Sequence, residues 1–473
     1  MNEGTMSRPA SRPGRLALAC GGSFITTLDA TVTNLAVPSL ASDFTTSVPT
    51  VSWVVTAYAV LMAALLAPGG AIADFVGRER LFSLGVITFS LASLTVALSP
   101  TIEVLIAARA AQGAGAALLI PASLAFVLAD TPPERRPAAI GLWSALAAVA
   151  AAIGPTVGGL MVDVTSWRWL FLINLPVGLW LYLGARELTL TTRHSDRSPD
   201  AVGAAFFALS VAALVLSITQ GEDWGWGSAA VLGGLAAAAL FGAAAIRRSA
   251  THPAPALEIT LWRSRVYAAA NGVSFLFGAA LYIVLISGVV FLIDVWGYSP
   301  PEAGLAVTPG ALTAAAVGIY IGRRARRPSP AMLVAAGTSL IAGVAMVLGL
   351  LLGSDPRLWE LWVPTGLVLG AGIGAVSVGV TTAAAMSVPP EKFATATGLN
   401  VAARQVGGAV GVATFAAIIA AHPGGDAVDG FRAVYWVVAL ASVAVLLLSP
   451  LLRPLLGQVT PVALVDVAER ATK

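Results

Sequence analysis

Apolar runs of about 20 residues recur from one end of this 473-residue chain to the other, separated by short polar connections. A helix of that length crosses a hydrocarbon core of about 30 Å and satisfies its own backbone, as the bilayer requires of any spanning segment. Barrel strands need only about ten residues, so these runs describe helices. Composition agrees: 57% of residues are hydrophobic, 11% are charged and the mean hydropathy is +0.85, values foreign to ordinary soluble domains. The sequence predicts an all-α integral protein of the cell membrane.

Fourteen such runs are present, the first centred near residue 28 and the last near residue 442. Loops between membrane helices alternate in charge because Arg and Lys stay on the cytoplasmic side. With the N-terminus inside, inward segments hold Arg78 and Arg80, Arg135 and Arg136, Arg186 with Arg193 and Arg197, and Arg247 with Arg248. Further along they hold Arg263 and Arg265, then Arg323, Arg324, Arg326 and Arg327, whereas outward segments hold only Arg168, Arg357 and Arg432. Both termini are therefore expected in the cytoplasm. The net charge of +3 and pI of 9.2 follow from this topology and from contact with anionic membrane lipid; nucleic acid is not an expected partner.

Few residues suit other chemistry. Cys20 is the single cysteine, so no internal disulfide forms. His194, His252 and His422 are scattered in loops, and neither a metal site nor a cofactor is expected. The tail 1–14, with Arg8 and Arg12, leads into a run too long for a signal-peptide core and without a small-residue cleavage site, so it should remain as the anchor of the first helix. The only lysines, Lys392 and Lys473, lie outside any phosphate-binding GxxxxGK[ST] loop, which disfavours an ATP-driven pump. No nucleophile elbow or His/Cys/Asp cluster falls within the runs, so catalysis is not expected.

The chain repeats itself. "GAGAALLIPASLAFVLADTPPERRPAAIGL", from Gly113, is echoed by "GAGIGAVSVGVTTAAAMSVPPEKFATATGL", from Gly370, an offset of 257 residues (370 − 113). The same offset relates Pro132 to Pro389, Glu134 to Glu391, Gly141 to Gly398 and Gly154 to Gly411. Two six-helix bundles are predicted over 15–188 and 266–453, with two inserted helices over 200–246 and a cytoplasmic tail over 454–473. Parallel halves of this kind rock about a midplane site in transporters.

Groups found in only one half are candidates for chemistry rather than scaffold. Arg109 maps to Gly366, Gln112 to Leu369, Pro155 to Val412 and, if the register holds, Asp29 to Ile286. Asp29 lies fourteen residues past Arg15, about 20 Å into a helix entering from the cytoplasm. A charged aspartate there costs about 2.5–3.5 kcal/mol on insertion scales, and such residues mark ion or proton pathways. Burial favours the neutral acid and a cationic neighbour favours the carboxylate, so alternating exposure switches the proton. Arg109 is the neighbour to consider, six residues past Glu103 on a span entering from outside. The plainer alternatives are a helix-internal contact of Asp29 with Thr31 or Asn34, and bonds from Arg109 to carbonyls of adjacent helices.

Two further stretches stand out. "GAIADFVGRERL", Gly70 to Leu81, joins spans two and three; its glycines permit close helix approach, and Asp74, Arg78 and Arg80 suit a breakable charge latch. "AIGPTVGG", Ala152 to Gly159, is a small-residue ridge in which Pro155 loosens the backbone and Gly154, Gly158 and Gly159 admit a neighbouring helix, a pattern that plain packing also explains.

These stretches resemble the major facilitator superfamily, and within it the fourteen-helix drug:proton antiporter branch. The likeness runs over nearly the whole chain, through "LDATVTNLAVP", "GAIADFVGRERL", "RAAQGAG", "GPTVGG", "WRWLFLINLPVG", "GYSPPEAGL" and "AARQVGGAVG". It implies that Asp29 is the first-helix acid handling protons or cationic drugs and Arg109 the fourth-helix arginine linked to proton transfer. It also implies that Gly70, Asp74, Gly77 and Arg78 form a conformational latch, and that Gly154, Pro155, Gly158 and Gly159 form the antiporter ridge. Phe75 and Glu79 depart from the family pattern, which usually has basic residues there, so the latch is expected to be weaker.

Some relatives carry a late-helix acid that helps recognise divalent cations. "VAARQVGGAVGVATFAAIIAA" has none, and Asp294 reads as an interfacial helix-end residue. The expected cargo is a lipophilic or monovalent cationic small molecule, exported against protons by a monomer. The alternatives are a dedicated exporter of one endogenous metabolite or antibiotic, a lipid-handling protein, or a membrane sensor that binds without flux.

Overall fold

The computed structural model describes residues 13–186, 200–253, 255, 257–324, 328–422 and 427–453. The tail up to residue 12, the 187–199 connection with Arg193, His194 and Arg197, the pair Arg326 and Arg327, and the tail from 454 lie outside the described residues, as do the side chains of Asn34 and Pro155.

Among the described residues the chain is helical, with no strand. The first half comprises α1 (Pro13–Val32), α2 (Val37–Asp43), α3 (Val48–Val76), α4 (Arg78–Ala97), α5 (Ile102–Asp130), α6 (Arg136–Val164), α7 (Arg168–Leu172) and α8 (Asn174–Arg186). A middle group follows: α9 (Ala201–Thr219), α10 (Gly221–Trp224) and α11 (Ala229–Thr251). The second half comprises α12 (Arg265–Asp294), α13 (Pro300–Arg323), α14 (Pro330–Leu351), α15 (Val363–Met386), α16 (Phe393–Ala420) and α17 (Ala427–Leu448).

Short polar residues set where the helices start. Asp200 accepts the Gly203 N–H at 2.8 Å, Ser264 that of Tyr267 at 3.3 Å and Ser329 that of Met332 at 3.3 Å, each cap worth about 1 kcal/mol. Between α1 and α2 the axis turns by 61° through a 3₁₀ turn at Thr33–Ala36. Pro38 in the first turn of α2 lacks the N–H that would continue α1.

Twelve helices are long and apolar enough to cross a membrane, and α1 with α2, taken as one bent span, makes thirteen among the described residues. This falls short of the fourteen read from the sequence. The remaining run corresponds to α6, whose Arg136–Ala151 portion is apolar but shorter, although the helix itself extends over 29 residues.

In the first bundle α3 and α4 pack on α5, α1 on α6 and α8 on α4; in the second α12 packs on α16, α15 on α13 and α14, and α17 on α14. The 257-residue repeat appears in the helix limits, with α6 opening at Arg136 and α16 at Phe393. The bundles meet along two seams, α6 against α13 and α3 against α16, and α9 lies over the second seam through Val211 and Val215 against Val60, Ala64 and Ala409. At the arginine-rich end one apolar core runs through both halves, joining Leu66, Phe82 and Trp143 to Tyr267, Phe393 and Leu399. At the opposite end each half keeps its own core, around Val51, Leu105 and Phe171 in the first and around Phe291, Trp362 and Phe431 in the second. The halves are therefore closed together at the arginine-rich end.

Candidate functional site

Inside the first bundle, α1, α3, α4, α5 and α8 converge on Asp29. Arg109 Nη1 donates to Asp29 Oδ2 at 2.5 Å and to Gln112 Oε1 at 2.6 Å. Gln112 Nε2 and Asn174 Nδ2 both donate to Asp29 Oδ1 at 2.8 Å, and both also donate to Ser93 Oγ at 2.8 Å. Arg109 Nε donates to the Val54 carbonyl at 3.2 Å, and its guanidinium lies 4.3 Å over the Tyr58 ring and 5.5 Å from that of Phe171. Tyr58 in turn donates to the Thr26 carbonyl at 3.2 Å. Gly113 makes this possible: a Cβ there would strike the Tyr58 carbonyl, so glycine lets α3 and α5 close on the arginine.

Asp29 is 0% exposed and Arg109 1% exposed, so the pair is sealed from solvent. Removing one member of such a pair strands the other charge at a cost of about 3–5 kcal/mol. Chemically the cluster is a carboxylate that one proton would neutralise, held by a guanidinium that would then need a new partner.

The structure brings Asp29, Arg109 and Gln112 together but turns Thr31 away. The Thr31 hydroxyl donates to its own helix, to the carbonyls of Thr27 at 3.1 Å and Leu28 at 2.9 Å, because a hydroxyl in mid-helix reaches back more readily than sideways. Thr33, at the start of the 3₁₀ turn after α1, donates its hydroxyl to the Asp29 backbone carbonyl at 2.7 Å. Asn174, Ser93 and Tyr58 are the members that sequence reasoning passed over. Asn174 stood inside "WRWLFLINLPVG", and the 257-residue offset maps it to Phe431, so the asymmetry between halves would have exposed it. Ser93 and Tyr58 also break the repeat, mapping to Leu350 and Ala315, but serine and tyrosine are so ordinary in membrane helices that the asymmetry does not single them out.

The 70–81 stretch lies at the arginine-rich end, where the halves meet. Gly77 ends α3 with φ +111°, a conformation that a side chain resists, and α4 starts at the next residue. Asp74 accepts the Thr395 N–H at 2.8 Å, the Thr395 hydroxyl at 2.9 Å and the Ala394 N–H at 3.3 Å, and so caps α16 of the other half, whose dipole favours a negative charge. Arg78 Nη2 holds Asp74 Oδ1 at 3.0 Å and donates to the Pro390 carbonyl at 2.5 Å. Gly70 is placed so that a Cβ would collide with the Ala394 carbonyl. Arg80 is exposed and stands outside this cluster, because the start of α4 points it away from the seam; Glu79 is buried instead. A cavity of about 250 Å³ opens at the same end between α1, α6 and α13, lined by Arg15, Arg135 and Arg323.

The glycine ridge of α6 packs within the first bundle. Gly154 faces α1, where a Cβ would meet the Thr31 hydroxyl; Gly158 is buried, and Gly159 has open space before it.

A family model described as the Major Facilitator Superfamily matches residues 19–412 and, in a second match, 270–464. Multidrug resistance protein Stp of Mycobacterium tuberculosis is 34% identical over 406 residues, covering 85% of this chain and 74% of that one. The methylenomycin A resistance protein of Streptomyces coelicolor is 33% identical, covering 84% of both chains. The tetracenomycin C resistance and export protein of Streptomyces glaucescens is 30% identical, covering 87% of this chain and 76% of that one. Among solved structures, that of the human organic anion transporter MFSD10 (TETRAN) matches with a TM-score of 0.64 over 93% of this chain and 100% of that one; at 17% identity the likeness is one of fold. By the family match and by these relatives, the chain belongs to the Major Facilitator Superfamily and is a multi-pass transporter of the cell membrane, not an enzyme.

Proposed function

We propose that this transporter exports lipophilic or monovalent cationic drugs in exchange for protons, by alternating access. In this reading it is a monomer of fourteen spans with both termini in the cytoplasm, built from the bundles 15–188 and 266–453 and the inserted pair 200–246. The resistance and export names of its relatives support the cargo class.

The observation that carries proton coupling is the sealed Asp29–Arg109 pair and its tie to α3. A proton arriving at Asp29 removes the charge that holds Arg109. The guanidinium also holds α3, through the Val54 carbonyl and the Tyr58 ring. Sixteen and twenty residues past Val54 along that helix, about 24 and 30 Å away, stand Gly70 and Asp74 at the closed seam. One continuous helix thus links the proton site to the latch, and protonation at one end biases the seam at the other.

Dye efflux in energised everted vesicles tests this, comparing wild type with Asp29→Asn at matched expression and with a protonophore control. Protonophore-sensitive transport that vanishes in the variant supports the reading, while equal gradient-driven transport in both sinks it. A second reading, a dedicated exporter of one antibiotic, is favoured by relatives named for methylenomycin A and tetracenomycin C alone. Competition by a narrow rather than a broad set of compounds would select it.

A further inference from the structure

Arg404 stands eleven residues into the 28-residue α16, about 17 Å from its arginine-rich end and so near mid-membrane. A charge at that depth persists only when it is paired or faces a polar interior. Among the described residues its guanidinium makes no ion pair and no hydrogen bond; its electrostatic neighbour is Tyr282 of α12. Tyr282 donates to Gln405 Oε1 at 2.8 Å, which leaves the Gln405 amide N–H groups pointing onward. All three side chains keep part of their surface open, and the Tyr282 ring packs over Gly408 of α16.

The position relative to the first half is informative. Tyr282 lies near Tyr58 across the seam, the ring that covers Arg109. By the 257-residue offset, Arg404 and Gln405 correspond to Ala147 and Ala148, so the pair exists in the second half alone. The backbone beneath is fixed, since a Cβ on Gly278 of α12 would strike the Arg404 carbonyl. Asp29, deep in the first half, is held by Arg109.

We propose that Arg404, Gln405 and Tyr282 form an anion subsite at the interface of the halves, which takes an ionised oxygen of a lipophilic substrate: a carboxylate, phenolate or enolate. The planar guanidinium offers parallel N–H donors that match such a group, and the Gln405 amide adds another. This inference rests on the transporter reading above and narrows its substrate class away from cations.

The test is equilibrium binding to the full chain in nanodiscs of zwitterionic lipid, without a gradient. The probes are fluorescein, an anion, and a cationic rhodamine ester with the same xanthene core. Wild type should bind fluorescein saturably and at least about tenfold more tightly than the rhodamine ester. Arg404→Gln should weaken fluorescein by about tenfold or more and leave the rhodamine ester unchanged, with Arg404→Lys recovering part of the loss. The proposal is overturned if wild type shows no saturable fluorescein binding, prefers the rhodamine ester, or binds fluorescein as tightly as Arg404→Gln does. The comparison of the two dyes on wild type needs no variant to fold. Because no gradient is imposed, failure of proton coupling in vesicles would leave this result standing, and the reverse also holds.

Discussion

Arg109 and Arg404 both stand within long helices, one in each half, and each lacks a counterpart at the position related by the internal repeat. Their surroundings differ completely. Arg109 is 1% exposed and has Asp29, Gln112, the Val54 carbonyl and the Tyr58 ring around it, while Arg404 has an electrostatic neighbour in Tyr282 and no acid among the described residues. The same residue type therefore stabilises the first bundle and sits uncompensated in the second. A cation whose charge is answered inside the protein belongs to the machinery, and one whose charge is unanswered waits for a ligand.

The largest effect that would sharpen this contrast is on stability. Arg109→Met strands the Asp29 carboxylate and should cost about 3–5 kcal/mol, whereas Arg404→Met removes a charge without orphaning another and should leave stability unchanged or raised. Thermal unfolding of the two variants in one detergent reads the difference; equal losses would erase the distinction drawn here. Next comes Asp29→Asn, which keeps the shape of the site and its amide partners. It should abolish protonophore-sensitive transport and cost up to about 3–5 kcal/mol, because it leaves Arg109 without its counter-charge and puts an N–H donor where one acceptor oxygen stood.

The seam offers smaller tests. Gly70→Val pushes a side chain into the Ala394 carbonyl and should open the arginine-rich end, read as a longer distance between spin labels at Arg80 and Glu391 and as about a tenfold loss of turnover. Asp74→Asn removes the charge that caps α16 and should shift the same distance distribution by about 0.5–2 kcal/mol in equilibrium terms. Gly159→Ala, with open space before it, should change neither stability nor transport by more than about 0.5 kcal/mol. A large effect there would show that the ridge works by something other than packing.

Much of the fold was legible because hydropathy and repetition are written along the chain. The first residues of α6 and α16 fall 257 residues apart, as the echo of Gly113 at Gly370 indicates. The pairing of Asp29 with Arg109 could be approached by counting residues from the membrane faces, since depth in a helix is linear in sequence. Thr31 shows the limit of that count: it lies near Asp29 in sequence and depth, yet its hydroxyl turns back to its own helix. Arg80 likewise shares a loop with Asp74 and Arg78 but stays exposed, since the turn at Gly77 sets which face of α4 meets the seam. Arg404 breaks the repeat as Arg109 does, opposite Ala147, but which groups surround it is decided only by the packing of α12 against α16.

The sequence by itself determined that the chain is a bundle of membrane helices, that it is a duplication, and which polar groups break the apolar pattern. These are local or periodic properties, decided by each segment's transfer into lipid. Only the tertiary structure decided that Asn174 and Ser93 join Asp29, that Asp74 caps a helix of the opposite half, and that Arg404 faces Tyr282 rather than an acid. Such pairings depend on the rotation and tilt of helices far apart in the chain. Those are set where small residues such as Gly70, Gly113 and Gly278 let one backbone rest against another, a property of the packed assembly that no single segment contains.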